Sequence, residues 1–143
     1  MLTLILIFDE FVMINVNEIS DFGKNSTRFD QNGDLSHVIR HYFENQQENQ
    51  VSFPIKGNQS FRCGQKVSVE VDMTSNPRRA VFFIQGVEQK NFVIGIPKKI
   101  RFYAFISKKS SSFQITKFEK LTQSSFRGAP ESKGWEWGKL WKQ

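Results

Sequence analysis

Residues 64–119 read GQKVSVEVDMTSNPRRAVFFIQGVEQKNFVIGIPKKIRFYAFISKKSSSFQITKFE, the part of the chain with the clearest pattern of strands and turns. The valines at 67, 69 and 71 alternate with polar residues, which is the period-two pattern of a strand that buries one face. After a turn that contains Pro77, Ala80–Ile84 is apolar throughout and predicts a strand buried on both faces. Gly86 provides the positive φ that a tight hairpin needs. The stretch therefore predicts three or four short strands separated by turns.

The composition favours strands over the whole chain. A length of 143 residues fits one domain that buries a sizeable core without disulfides. The 15 phenylalanines, together with frequent Val and Ile, favour sheet over helix. No window combines a helical apolar period with capping residues. We therefore expect an all-β fold in which helix is scarce.

The first half of the chain gives weaker signals. Leu2–Phe8 is apolar but lacks the charged start and cleavage site of a signal peptide, and it is too short to cross a membrane. We interpret it as a buried strand that forms a core hairpin with Val12–Val16. An apolar strand at the very start suggests a chain that begins inside a domain. The polar segments Asn17–Arg28 and Glu44–Gln50 are expected to be exposed loops.

The net charge of +6 raises the question of an anionic partner. The basic residues occur as isolated pairs near predicted turns, where such pairs are usually solvated. The sequence therefore disfavours nucleic-acid binding. The alternative that stays open is a basic β-sandwich that binds nucleic acid or a sulfated carbohydrate, provided that the pairs converge on one face: Arg78, Arg79, Lys98, Lys99, Lys108 and Lys109.

Motifs for catalysis or metal binding are not recognisable in the sequence. His37 and His41 are four residues apart, but no third ligand follows at metal spacing, and the intervening pattern favours a strand. The carboxylates Glu70 and Asp72 alternate with apolar residues and are predicted to be solvated. We expect a protein that is not an enzyme and that needs no cofactor and no metal. One cysteine, Cys63, fits a reducing, intracellular and cytoplasmic setting.

The order of motifs in residues 64–119 resembles the C-terminal half of a SPRY domain, as found in divergent SPRY-like proteins of protists. The family runs through a Gly-containing turn, a V.V.VD strand, a strand with a hairpin, a GIP corner and a further strand. The corresponding segments here are Gly64, Val67–Asp72, Val81–Gly86, Gly95–Pro97 and Ile100–Ile106. The resemblance implies a twisted antiparallel β-sandwich of the concanavalin-like type over residues 1–122.

The resemblance is weaker at the N-terminal end of the chain. Val12–Val16 is similar to an early family strand, but Asn15 stands where the family usually has Gly. Gln85 likewise stands where the hairpin usually has Asn. Because the first family strands are reduced to Leu2–Phe8, the resemblance implies a truncated or divergent copy.

SPRY domains are protein-binding modules, so the resemblance implies a non-catalytic adaptor that captures a protein or a short peptide. A membrane is not expected as a partner. Family ligands contact loops at one end of the sandwich. The residues carried over as ligand-binding candidates are Arg28, Tyr42, Ser107, Lys108 and Lys109.

Residues 123–143 are predicted to form a linker and a tail rich in tryptophan. Trp135, Trp137 and Trp141 lie within seven residues of one another, and rings of this size bring much apolar area. We expect the tail to fold back onto the sandwich. The alternative is a peptide that binds a partner or, weakly, a membrane surface.

Overall fold

The computed structural model describes residues 2–8, 12–18, 25–43, 46–51, 53–106, 109–110 and 112–143. All regular elements in these residues are strands, which confirms the all-β class. The strands are β1 (Leu2–Phe8), β2 (Val12–Glu18), β3 (Ser26–Phe29), β4 (Leu35–Phe43), β5 (Gln46–Val51), β6 (Lys66–Asp72), β7 (Arg79–Ile84), β8 (Val87–Glu88), β9 (Asn91–Ile94), β10 (Ile100–Ile106), β11 (Phe113–Lys120) and β12 (Lys133–Glu136).

These strands form two sheets. Sheet A has the order β11-β1-β6-β7-β9-β12, with β8 paired to β7, and sheet B has the order β10-β2-β3-β4-β5. All pairings are antiparallel except that of β12 with β9, which is parallel. The expected antiparallel arrangement therefore has one exception, at the edge formed by the tail.

One apolar core contains residues from both sheets. Val69 and Phe82 of sheet A and Phe29 of sheet B are fully buried in the same cluster. The rings of Phe29 and Phe82 stack with their centroids 4.7 Å apart. Since each fully buried side chain of this size contributes about 1.5–3 kcal/mol, the shared core accounts for the association of the two sheets.

The predicted hairpin after β7 is confirmed. Gln85 and Gly86 both have positive φ, at 51° and 78°, which is the backbone of the two-residue turn that matches the twist of paired strands. The Gln85 side chain accepts a hydrogen bond from the Lys66 backbone N–H at 2.7 Å. This contact fixes the side chain of a non-glycine residue in the left-handed region.

The predicted hairpin of the first two strands is wrong. β1 pairs with β11 and β6 in sheet A, whereas β2 pairs with β3 and β10 in sheet B. The turn expected between them, at residues 9–11, lies outside the described residues. The first two strands of the chain therefore belong to different sheets. Their apolar content alone does not predict which sheet each strand joins.

Both predicted polar loops contain strands. Gln46–Val51 is β5, and the end of the segment that was expected to be a loop up to Arg28 lies in β3. The physical reason is that backbone pairing to β4 does not depend on side-chain polarity. In β3 the buried polar residues Ser26 and Thr27 are hydrogen-bonded to His37 of β4.

Candidate functional site

Strand β11 forms one edge of sheet A. Seven of its eight residues pair with β1, and the strand pairs with no other described strand. An edge strand presents unpaired backbone donors and acceptors on its outer side, and proteins usually protect such edges. The side chains of β11 therefore determine whether this edge is shielded or available.

A β-bulge places the large apolar residues of β11 on one face. The register with β1 runs regularly from Leu2 to Ile5 and then shifts at Thr116, so that Ile5 lies opposite Lys117 and Leu6 opposite Ile115. Without the shift, Ile115 and Phe118 would face opposite sides, because side chains alternate along a strand. The bulge brings them to the same side as Phe113.

That side is the core face of sheet A. Through β1, the register aligns Phe118 with Val69 and Ile115 with Val67. The two valines are fully buried, whereas Phe113, Ile115 and Phe118 are 39%, 55% and 60% exposed. These three residues, called here the apolar row, continue the core face beyond the part of it that is covered.

The other face of β11 is polar. Lys117 Nζ and Glu119 Oε1 are 2.8 Å apart, and both side chains are well exposed. Beside them a cavity of about 360 Å³ opens on the outer face of sheet A. Its lining residues are Ser68, Glu70, Phe83, Gly86, Lys117, Glu119, Leu121 and Ser125.

Glu70 and Asp72 correct the prediction that the outward carboxylates of β6 are solvated. Both are buried, at 3% and 6% exposure, and residues 124–126, called here the cover segment, cross the outer face of the sheet at Glu70. Glu70 accepts hydrogen bonds from the Ser124 hydroxyl at 3.0 Å and from the Ser125 N–H at 2.9 Å. The carboxylate thus holds the cover segment in place.

Asp72 and Arg79 form a second polar anchor on this face. Burial acts to raise the pKa of Asp72, but hydrogen bonds from Thr74 and Ser75 and the charge of Arg79 outweigh it and lower the pKa. The Arg79 guanidinium lies 3.3 Å from Asp72 Oδ2 and 4.4 Å from the centroid of the Phe126 ring. These groups are occupied by structural contacts.

The opposite edge of sheet A is formed by the tail, and the predicted fold-back is confirmed. β12 pairs in parallel with β9, and Trp135 and Trp141 are 6% and 2% exposed. Trp135 Nε1 donates to Asn91 Oδ1 at 3.1 Å. The amide of the C-terminal residue, Gln143, makes two 2.8 Å hydrogen bonds with the Lys56 backbone.

His37 joins this tail to sheet B. Its ring stacks on Trp141 at a centroid distance of 4.9 Å, and Nε2 accepts a hydrogen bond from the Gly138 N–H at 2.9 Å. Nδ1 lies 2.9 Å from the Ser26 carbonyl, so the neutral ring carries its proton on Nδ1. Burial lowers the pKa of His37 to about 4.

Of the predicted binding residues, the three that the structure describes, Arg28, Tyr42 and Lys109, do not lie together. Arg28 lies inside sheet B, between Asn15 of β2 and Ser36 of β4. Tyr42 lies six residues further along β4, about 20 Å away at the rise of an extended strand. Ser107 and Lys108 lie outside the described residues, and Lys109 is exposed in a turn.

The turn with Lys109 and the end of β4 with Tyr42 lie at opposite ends of sheet B. β10 ends at Ile106 opposite Val12, whereas Tyr42 lies beyond the other end of β2, past the level of Glu18. A single loop-end pocket containing both residues is therefore not formed. Whether either contacts a ligand by itself stays a prediction.

The basic pairs are only partly available to an anionic partner. Arg78 Nε donates to the Ile96 carbonyl at 2.8 Å, and Arg79 is held by Asp72. Lys98 and Lys99 are exposed, and Lys108 lies outside the described residues. Within the described ranges, no cluster of three metal-ligating side chains occurs and no helix could span a membrane.

The apolar row is not among the predicted binding residues, although the sequence contains a signal for it. Phe113 and Ile115 are two residues apart, but Phe118 follows after three. An apolar spacing of two and then three in a strand indicates a bulge, provided that the face stays the same. What the spacing could not show is that this part of the core face is uncovered.

Comparison with known proteins gives no further assignment. No family model matches the chain, and neither curated proteins nor solved structures yield a match.

Proposed function

We propose that this chain is a non-catalytic module that binds a protein or peptide segment along strand β11. The observation that carries the proposal is the apolar row, in which Phe113, Ile115 and Phe118 are exposed beside an open sheet edge. Exposed apolar side chains that cluster in this way mark interaction surfaces. A partner that covers the row removes apolar area from water.

The edge supports binding by strand addition. An extended segment placed beside β11 satisfies the outward backbone groups with main-chain hydrogen bonds. Its alternate side chains lie against the apolar row on one face and against Lys117 and Glu119 on the other. Backbone pairing provides affinity, and the two different faces provide selectivity.

The rest of sheet A is held firmly enough to act as a scaffold. The opposite edge is tied to sheet B through Trp141 and His37, and the outer face is crossed by residues 124–126. Little ordering entropy is lost when a partner binds to a surface that is already fixed. This arrangement suits a recognition module.

The resemblance of residues 64–119 to SPRY domains is a second, independent support, because it too implies protein binding. The resemblance implicates loop residues in binding, whereas the exposed apolar side chains implicate β11. The alternative of an anionic partner has less support, because Arg78 and Arg79 make contacts within the protein.

A peptide display library tests the proposal without knowledge of the partner. Selection against the wild-type protein should enrich peptides that lose at least about tenfold in affinity for Phe118→Asp. The matched control is Val87→Asp, which changes an exposed apolar residue outside the row. A library that yields no binder, or binders that tolerate Phe118→Asp, would contradict the proposal.

A further inference from the structure

Strand β11 is complementary to itself, and we infer that its partner is a second copy of this chain. The inference rests on the proposed function, because it assigns the occupant of the same edge. Two copies related by a two-fold axis would place their β11 strands side by side and antiparallel, joining the two A sheets into one. The sequence around Phe118 determines this register.

The register follows from the order Lys117-Phe118-Glu119. If the two-fold axis passes at Phe118, then Lys117 of each copy lies opposite Glu119 of the other. Opposite charges directly across antiparallel strands stabilise the pairing, and like charges destabilise it. Both charge pairs are therefore favourable in this register, and each residue is already on the same exposed face as its counterpart.

The same arrangement covers the centre of the apolar row. The two Phe118 rings meet at the axis, on the core face of the joined sheet, with Ile115 of each copy on either side. Phe118 and Ile115 are each more than half exposed in the single chain. The contact is isologous, so it closes at two copies and does not propagate into fibres.

Sedimentation velocity tests the inference on the full chain. Over concentrations from about 1 µM to about 500 µM, the wild type should pass from monomer to dimer. Lys117→Glu places Glu opposite Glu, and Glu119→Lys places Lys opposite Lys. Each single variant should dimerise at least about tenfold more weakly than the wild type.

Combining the charge variants distinguishes an effect on the pairing register from an effect on folding. An equimolar mixture of Lys117→Glu and Glu119→Lys should form a heterodimer, and the double variant K117E/E119K should regain the dimer of the wild type. Lys98→Glu, which changes an exposed lysine outside β11, is the control and should dimerise like the wild type. A variant that merely unfolds would not be rescued by mixing.

Two results would overturn the inference. A wild type that remains monomeric to about 500 µM would exclude a second copy as the occupant at practical concentrations. A dimer insensitive to all charge variants would place the contact on another surface. In the first case, selected peptides that still depend on Phe118 would leave the proposed function intact, with a different protein as its partner.

Discussion

The two edges of sheet A differ in the use they make of aromatic residues. At the β12 edge, Trp135 and Trp141 are buried, and the chain then runs onto sheet B. At the β11 edge, Phe113 and Phe118 remain exposed on the core face. β12 is four residues long, whereas β11 has eight.

The difference indicates that the two edges have different roles. A short edge strand with a folded-back tail has little to offer a partner, and its aromatic residues contribute to stability. A long edge strand with exposed apolar side chains contributes less to stability than its composition allows. Changes at the β12 edge should therefore affect folding, and changes at the β11 edge should affect association.

The largest effect is expected at Trp141. Trp141→Ala removes a buried ring that stacks on His37, and it should lower the free energy of unfolding by about 3–5 kcal/mol. Leu140→Ala is the matched control, since Leu140 is exposed and should change stability by less than about 0.5 kcal/mol. Urea denaturation measures both. Equal effects would contradict a structural role for the tail.

Acid should weaken the same edge. The pKa of His37 is about 4 in the folded protein and 6.5 as the ordinary value, so the unfolded chain binds the proton more readily. The contribution of neutral His37 to the free energy of unfolding is fully present above pH 6.5. It is lost as the pH falls through 4, by about 3 kcal/mol in total.

Urea denaturation between pH 7 and pH 4 measures this loss. His37→Gln loses the ring that stacks on Trp141, so it should be less stable than the wild type at pH 7. Because Gln does not titrate, the stability of this variant should also depend less steeply on pH. A variant with an unchanged pH dependence would exclude His37 as the source.

A smaller effect is expected from Gly134→Ala in β12. An added Cβ would lie 2.7 Å from Ile94 Cγ2 and 3.1 Å from a carbon of the Phe92 ring, so neighbouring atoms must move. Crowding of this kind costs about 1–3 kcal/mol. A melting temperature that stays unchanged would show that β12 can separate from β9 without cost.

The smallest effect on stability is expected at the exposed edge. Phe118→Ser should change the free energy of unfolding of the monomer by less than about 0.5 kcal/mol, because the ring is largely in water already. Thermal unfolding at low protein concentration measures it. A loss similar to that of Trp141→Ala would mean that the ring belongs to the core.

The sequence predicted best where local pattern and burial agree. The alternating valines of β6 and the apolar β7 gave the centre of sheet A, and the large rings at 135 and 141 indicated the fold-back. Prediction failed where pairing partners are distant: β1 and β2 belong to different sheets, and polar β5 is a strand only because β4 lies beside it.

The candidate site was harder to predict than the fold. The burial of Glu70 depends on a cover segment more than 50 residues away in the chain. The exposure of Phe118 depends on where coverage by the rest of the protein ends. The burial of Glu70 and the exposure of Phe118 therefore cannot be predicted from their neighbours in the sequence. For the same reason, the strand pattern at 113–120 did not indicate a binding surface.

Hydrogen exchange at two protein concentrations distinguishes a β11 edge that pairs with a second copy from one that stays in water. Raising the concentration from about 1 µM to about 500 µM should slow the exchange of amides in residues 117–119, at the centre of the pairing with a second chain, and leave those in residues 133–136 unchanged. Exchange that is independent of concentration at β11, or that slows equally at β12, would show that β11 is not the edge at which two copies meet.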